Sequence, residues 1–194
     1  MAGSLLPSGT VTFLFTDIEG STRLIDELGE ESYVAALAEH RRALREAFAA
    51  HGGVEVDTQG DAFLYAFVDP GEALAASGEG QQALGTGPLR VRMGVHTGTP
   101  SLTGEGYAGR ELHRAARIAA SGHGGQVVVS SATRALVEGE LTELGEHRLN
   151  DFDEPVALTP RSPIERTRAD AGGSRRLRAR GPWLRAGRRR DRHR

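Results

Sequence analysis

Segments with the two-residue period of a strand alternate with segments of helical period from about residue 10 to residue 158. That alternation limits the chain to layered folds in which helices cover a sheet. "TVTFLF" (Thr10 to Phe15) is an apolar, β-branched and aromatic run of strand length, followed at once by the polar "TDIEGST". Tyr33, Leu37, Leu44 and Phe48 recur at spacings of four, seven and four, an amphipathic helix that "HGG" at 51–53 stops. "EVDTQGDAFLYAF" (Glu55 to Phe67) reads as strand, tight turn and strand, and an alanine-rich helix follows from about Glu72 to Leu84. "LRVRMGVHTG" (Leu89 to Gly98) alternates like a strand, and "GRELHRAARIAASGHGG" reads as a helix with a glycine stop. "QVVVS" is a short buried strand, "SATRALVEG" a short helix that Ser130 or Ser131 caps, and "HRLNDF" with "EPVAL" a final strand pair. The expected class is α/β, in the form of an α+β sandwich.

Composition narrows the chemistry. The 194 residues suit one domain plus an extension, and 38% hydrophobic content suits a globular chain. No apolar run approaches the roughly 20 residues that span a bilayer, and "MAGSLLPSGT" lacks the pattern of a secretory signal, so a cytoplasmic protein without a membrane partner is expected. With no cysteine, disulfides, thiol nucleophiles and cysteine-held metal centres are excluded. All 24 basic residues are arginine, which excludes a Walker A phosphate loop and a lysine Schiff base. Residues 161–194 hold 13 arginines against three acids, a charge of +10, whereas residues 1–160 carry −12.

Three polar clusters lie at the ends of these elements. Asp17 leaves the first strand beside a helix that Ser21 or Thr22 would cap, and taken alone it reads as a solvated loop acid. Asp57 and Asp61 flank the turn of the hairpin, where they are either turn punctuation or, for one of them, a metal ligand. His113 and Arg117 are one helical turn apart and share a face; with Arg114 they otherwise form a solvated basic stripe.

Together, "VTFLFTDIEGSTRL", "GDAFLYAF", "VRMGVHTG", "HRAARIAASGHGGQVVVSS" and "LNDFDEPV" occur in the order and at the spacings of the class III nucleotidyl cyclase catalytic domain. The form is that of actinobacterial adenylate/guanylate cyclase-like proteins. The resemblance covers residues 8–158 and implies a ferredoxin-like α/β core that pairs head to tail as a homodimer, with composite sites at the interface. It implies ATP or GTP as substrate, and a 3',5'-cyclic nucleotide and pyrophosphate as products. Ring closure needs the ribose 3'-oxygen made nucleophilic while charge builds on the phosphates, a task that two divalent ions about 3.5 to 4 Å apart perform. Hard oxygen ligands suit Mg²⁺ or Mn²⁺. By resemblance the two metals are held by Asp17 and Asp61, with the backbone carbonyl of Ile18 as a further ligand, and Arg117 stabilises charge on the phosphates.

The sequence departs from the family at three of six site positions. Asp57 stands where relatives carry a purine-reading lysine, Gly106 where they carry a base-reading aspartate, and His113 where they carry the asparagine that orients the ribose. These changes support two readings: a cyclase with a degenerate purine pocket and low activity, or a pseudo-cyclase that binds nucleotide or dimerises in signalling without turnover. In a heterodimeric variant of the second, another cyclase domain supplies the missing asparagine. The arginine-rich segment 161–194 reads as a disordered tail, with a shifted reading frame in GC-rich DNA as a further source of its composition, and nucleic-acid binding is disfavoured.

Overall fold

The computed structural model describes residues 6–85 and 87–138, together with the backbone of 145–147 and 156–160. Its first strand, β1 (Val11–Ile18), is apolar on both faces: Val11, Phe13 and Phe15 enter one core, Leu14 and Ile18 another. A strand of that kind needs cover above and below, which places it inside a sheet. It runs three residues beyond Phe15, so Asp17 belongs to the strand and not to the loop after it.

After β1 come the helices α1 (Ser21–Leu28) and α2 (Glu30–Ala50), the hairpin β2 (Val54–Gln59) and β3 (Ala62–Phe67), then α3 (Pro70–Leu84) and β4 (Val91–Gly98). β1 pairs antiparallel with both β3 and β4, and β3 pairs antiparallel with β2. This spatial order, β2-β3-β1-β4, is the split βαβ arrangement of a ferredoxin-like core, as expected. The chain continues through a small hairpin, β5 (Ser101–Thr103) and β6 (Gly106–Ala108), to α4 (Arg110–Ser121), β7 (Val127–Ser130) and the short α5 (Ser131–Arg134). β8 (Gly145–His147) and β9 (Val156–Pro160) complete a seven-stranded sheet of order β2-β3-β1-β4-β7-β9-β8.

Two layers of helix enclose the sheet. On one face, Leu44 and Phe48 of α2 and Ala73, Leu74 and Ala76 of α3 pack on Leu14, Ile18, Phe63, Met93 and Val129. Each fully buried Leu or Phe there contributes about 1.5–3 kcal/mol relative to exposure. On the other face, α4 lays Ala115 and Ala119 over Val11, Phe13, Phe15, Leu64 and Ala66. The helix sits close to β4 because Gly94 has no side chain: a Cβ there would overlap the backbone of Ala119.

Most elements fall where periodicity places them, and Ser130 does cap α5, accepting from the Thr133 N–H at 3.2 Å. The β5–β6 hairpin is an addition that "TGEG" gave a turn signal for. Of the final strand pair, β9 matches "EPVAL" in part, and β8 meets "HRLNDF" only at His147; residues 148–155 and the segment 161–194 lie outside the described residues. Among the described residues no helix is long and apolar enough to cross a membrane.

Candidate active site

Antiparallel register sets Asp17 opposite Arg92 on β4. The Arg92 Nε–H donates to Asp17 Oδ2 at 2.9 Å, and a second guanidinium N–H reaches the same oxygen. Both side chains remain partly open to solvent.

The second acid arrives from the hairpin. Gly60 adopts φ 60°, a left-handed conformation that closes the turn, and Arg41 of α2 donates to its carbonyl at 2.5 Å. Asp61 follows directly, and its Oδ2 is buried with no hydrogen-bond partner among the described residues. Burial pushes its carboxyl above the usual aspartate range, and the charge of Asp17 pushes it further. Hydrogen bonds from its own backbone and from Ser21, and the charge of Arg92, offset that only in part.

Ser21 corrects the sequence reading. It does not cap α1, and neither does Thr22: Gly20, at φ 69°, is the N-cap and no side-chain cap bond forms. The Ser21 hydroxyl serves Asp61 and the hydroxyl of Tyr33 instead. Burial, followed by the nearby Asp61 carboxylate, raises the Tyr33 phenol above its ordinary value.

An unpaired buried carboxylate oxygen facing a second carboxylate is an arrangement that a hard divalent cation satisfies. Among the described residues no three His, Cys, Asp or Glu side chains converge to form a protein-only cage. Two carboxylates are within what Mg²⁺ commonly takes from a protein, water and substrate phosphates completing its shell. Ile18, buried and paired with Val91, follows Asp17 in the same strand. Beside it opens a cavity of about 420 Å³ lined by Glu19, Gly20, Arg23, Leu24 and Arg90.

The remaining candidates separate by location. Arg117 on α4 is 9% exposed, so the solvated-stripe reading fails for it, whereas His113, one turn earlier, is exposed. Asp57 is half-buried, at a bulge in β2 opposite Leu64. Its oxygens are engaged locally, accepting from the Thr58 N–H at 2.8 Å and from Gln59 Nε2 at 3.2 Å. Gly106 opens β6 at φ 109°, a conformation that suits glycine, and presents no side chain.

Arg92, Arg41, Ser21 and Tyr33 were not anticipated at this site. For Arg92 the signal exists: along "VRMGVHTG", Arg92, Gly94, His96 and Gly98 share one face by strand alternation. The other three depend on how the loops close over the sheet, which no local pattern encodes.

Residues 5–77 match the family model described as the adenylate and guanylate cyclase catalytic domain. An uncharacterised protein of Mycobacterium tuberculosis is 38% identical over 159 residues, an alignment covering 78% of this chain and 55% of that protein. The adenylate cyclase of Lachancea kluyveri is 35% identical over 156 residues, covering 64% of this chain and 8% of that enzyme. The chain thus spans about half the length of the mycobacterial relative and a small part of the fungal one. Among solved structures, an adenylate cyclase from Trypanosoma brucei in its monomeric state superposes with a TM-score of 0.71 at 26% identity, over 79% of this chain and 89% of that one. The adenylyl cyclase CyaB from P. aeruginosa shares the fold, with a TM-score of 0.67 at 24% identity over 84% and 97% of the two chains.

Proposed function

We propose, for a chain that belongs to the class III adenylate/guanylate cyclase catalytic-domain family, that it cyclises ATP or GTP to the 3',5'-cyclic nucleotide with release of pyrophosphate. The observation that carries this reading is the buried, unpartnered Asp61 Oδ2 facing the charge of Asp17. In the reaction the ribose 3'-oxygen bonds to the α-phosphorus as the bond to the pyrophosphate oxygen breaks, and the 3'-hydroxyl proton passes to solvent. Mg²⁺ or Mn²⁺ held by Asp17 and Asp61, with the Ile18 carbonyl, would neutralise phosphate charge and make the 3'-oxygen more acidic.

The chain's own groups divide the remaining work. Arg92 presents a planar fork of donors that suits phosphate oxygens once Asp17 turns to a cation. The start of α1 has no side-chain cap, so its amides are available to phosphate. Arg117 stabilises charge that develops on the phosphates. His113, exposed on α4, orients the ribose of a nucleotide held across a head-to-tail homodimer; a neutral imidazole supplies one donor and one acceptor where relatives use an amide. Purine choice is relaxed, because Gly106 offers no side chain and both oxygens of Asp57 are already engaged.

Those same two positions favour a second reading, a nucleotide-binding or dimerising module without turnover, acting alone or with another cyclase domain. Incubation with ATP or GTP and Mn²⁺ separates the two. The cyclase reading expects cyclic product that is lost in Asp17→Ala and Asp61→Ala. Product no greater than that of the double variant, at protein concentrations that permit dimers, overturns it.

A further inference from the structure

Near the start of β1 and the end of β4, a line of buried polar side chains passes from the α2–α3 face of the sheet to α4. Thr12 Oγ1 lies 2.9 Å from Thr97 Oγ1, which lies 3.0 Å from Thr133 Oγ1. Thr133 Oγ1 is 3.1 Å from Ser130 Oγ, and Ser130 Oγ is 2.9 Å from His96 Nδ1. His96 Nε2 ends the line 2.7 Å from Glu111 Oε2, in the first turn of α4. Thr12, Thr97, Thr133, Ser130 and His96 are all buried; by strand alternation His96 lies on the α4 face of the sheet with Phe13, and Thr12 and Thr97 on the opposite face with Leu14 and Val95.

Donor chemistry fixes the direction of the two bonds at His96. An ionised Glu111 only accepts, so His96 carries its proton on Nε2 and donates it there. Burial, which outweighs the opposing pull of Glu111, keeps the imidazole below its ordinary pKa and therefore neutral. Nδ1 is then an acceptor and Ser130 must donate to it. Ser130 in turn accepts from the Thr133 N–H at 3.2 Å, and the Thr133 hydroxyl also reaches the Val95 carbonyl at 3.4 Å. Ser130, His96 and Glu111 thus form two successive bonds that polarise one another toward the carboxylate.

The packing around Glu111 leaves it little freedom. A Cβ at Gly98 would overlap its carboxylate, as one at Gly94 would overlap Ala119, so β4 offers α4 a glycine, a histidine and a glycine along one face. Arg114 lies 3.8 Å from the other carboxylate oxygen. At the far end of the helix, Arg92 Nη1 reaches the Ala120 carbonyl at 3.5 Å while holding Asp17. α4 is thereby pinned at both ends to the strand that faces the metal carboxylate.

We infer that His96 is a positioning residue: through Glu111 it fixes the rotation of α4 on the sheet, and so sets Arg117 and His113 against the substrate. Its consequence for turnover rests on the cyclase reading; the positioning itself does not. Removing one hydrogen bond to a half-buried charged partner is expected to raise local opening about tenfold.

The test compares Glu111→Ala, His96→Leu and His96→Gln in the full chain, because glutamine keeps an Nε–H donor at the length of the imidazole. Amide hydrogen exchange is followed in α4 and, as an internal reference, in α2. Glu111→Ala and His96→Leu are expected to speed exchange in α4 about tenfold more than in α2, with His96→Gln near wild type. In the Mn²⁺-nucleotide assay the first two lower kcat about tenfold with KM little changed, the pattern of a lost transition-state contact. The inference is overturned if Glu111→Ala leaves α4 exchange unchanged, if α2 and α4 accelerate alike, or if His96→Gln behaves as His96→Leu. Should His96→Leu fail to fold, Glu111→Ala decides. If wild type yields no cyclic product, the cyclase reading falls and the exchange pattern alone decides the positioning.

Discussion

Replacing Asp61 by asparagine should stabilise the metal-free protein while abolishing its response to metal and nucleotide. The charge of Asp17 disfavours the ionised Asp61 carboxyl, and between neighbouring surface carboxylates such repulsion is on the order of a few kcal/mol at an effective dielectric of about 20. The charge of Arg92 offsets part of this, and a net cost on the order of 1 kcal/mol is taken to remain. The buried, unpaired Asp61 Oδ2 adds about 1 kcal/mol. Asparagine removes the repulsion and supplies a donor toward Asp17. The expected gain of about 1–2 kcal/mol corresponds to a Tm rise of roughly 3–6 °C for a domain of this size. Wild type, in contrast, should gain about 2.7 kcal/mol from Mn²⁺-ATP or Mn²⁺-GTP at a hundredfold excess over Kd. Thermal melts of both proteins, with chelator and with Mn²⁺-nucleotide, read each quantity. A lower Tm for Asp61→Asn in chelator, or an equal nucleotide shift in both proteins, would refute the electrostatic reasoning.

Other consequences follow from the same contacts. His51 bridges Glu72 at 2.7 Å and Glu79 at 2.9 Å, and those hydrogen bonds raise its pKa. Its contribution is therefore fully present below the unfolded histidine value, about 6.5, and is lost as pH rises through the higher folded value; melts at pH 5.5 and pH 8.5 should converge in His51→Ala. Glu55 accepts from Arg45, Thr58 and Tyr65, which hold its pKa down to about 2. Its contribution is present above the ordinary glutamate value and is lost as pH falls toward about 2; Glu55→Gln should cost about 1 kcal/mol near neutrality by denaturant unfolding, after discounting for solvent screening. Gly94→Ala should push α4 off the sheet, costing about 1–3 kcal/mol and most of any cyclase activity, read by melts and product assay.

What the sequence made legible was what local pattern encodes. The two-sided apolar run of β1, the Tyr33 to Phe48 stripe of α2 and the glycine stop after α4 are set by periodicity and backbone freedom, and they recur in the structure. Taken alone Asp17 and Asp61 read as a loop acid and turn punctuation; it is the resemblance to the cyclase motifs that makes them metal-ligand candidates, and the sheet places β1 next to β3. The partners that set their electrostatics come from further away in the chain. Arg92 is 75 residues from Asp17, and Ser21 turned out to serve Asp61 because Gly20 had already taken the cap position. The Thr12 to Glu111 line was invisible for the same reason. Its members come from β1, β4, β7, α5 and α4, and each alone looks like an ordinary polar residue in an apolar stretch.

In the proposed function, Asp17 and Asp61 jointly hold divalent cation for a purine nucleoside triphosphate. Equilibrium binding of a non-cyclisable ATP or GTP analogue, measured across a Mn²⁺ titration, tests it most directly. Binding should rise with Mn²⁺ and fall by about 100-fold in either Asp17→Ala or Asp61→Ala, the loss expected when a charged ligand group is removed. Binding that ignores Mn²⁺, or that survives both substitutions, would contradict it.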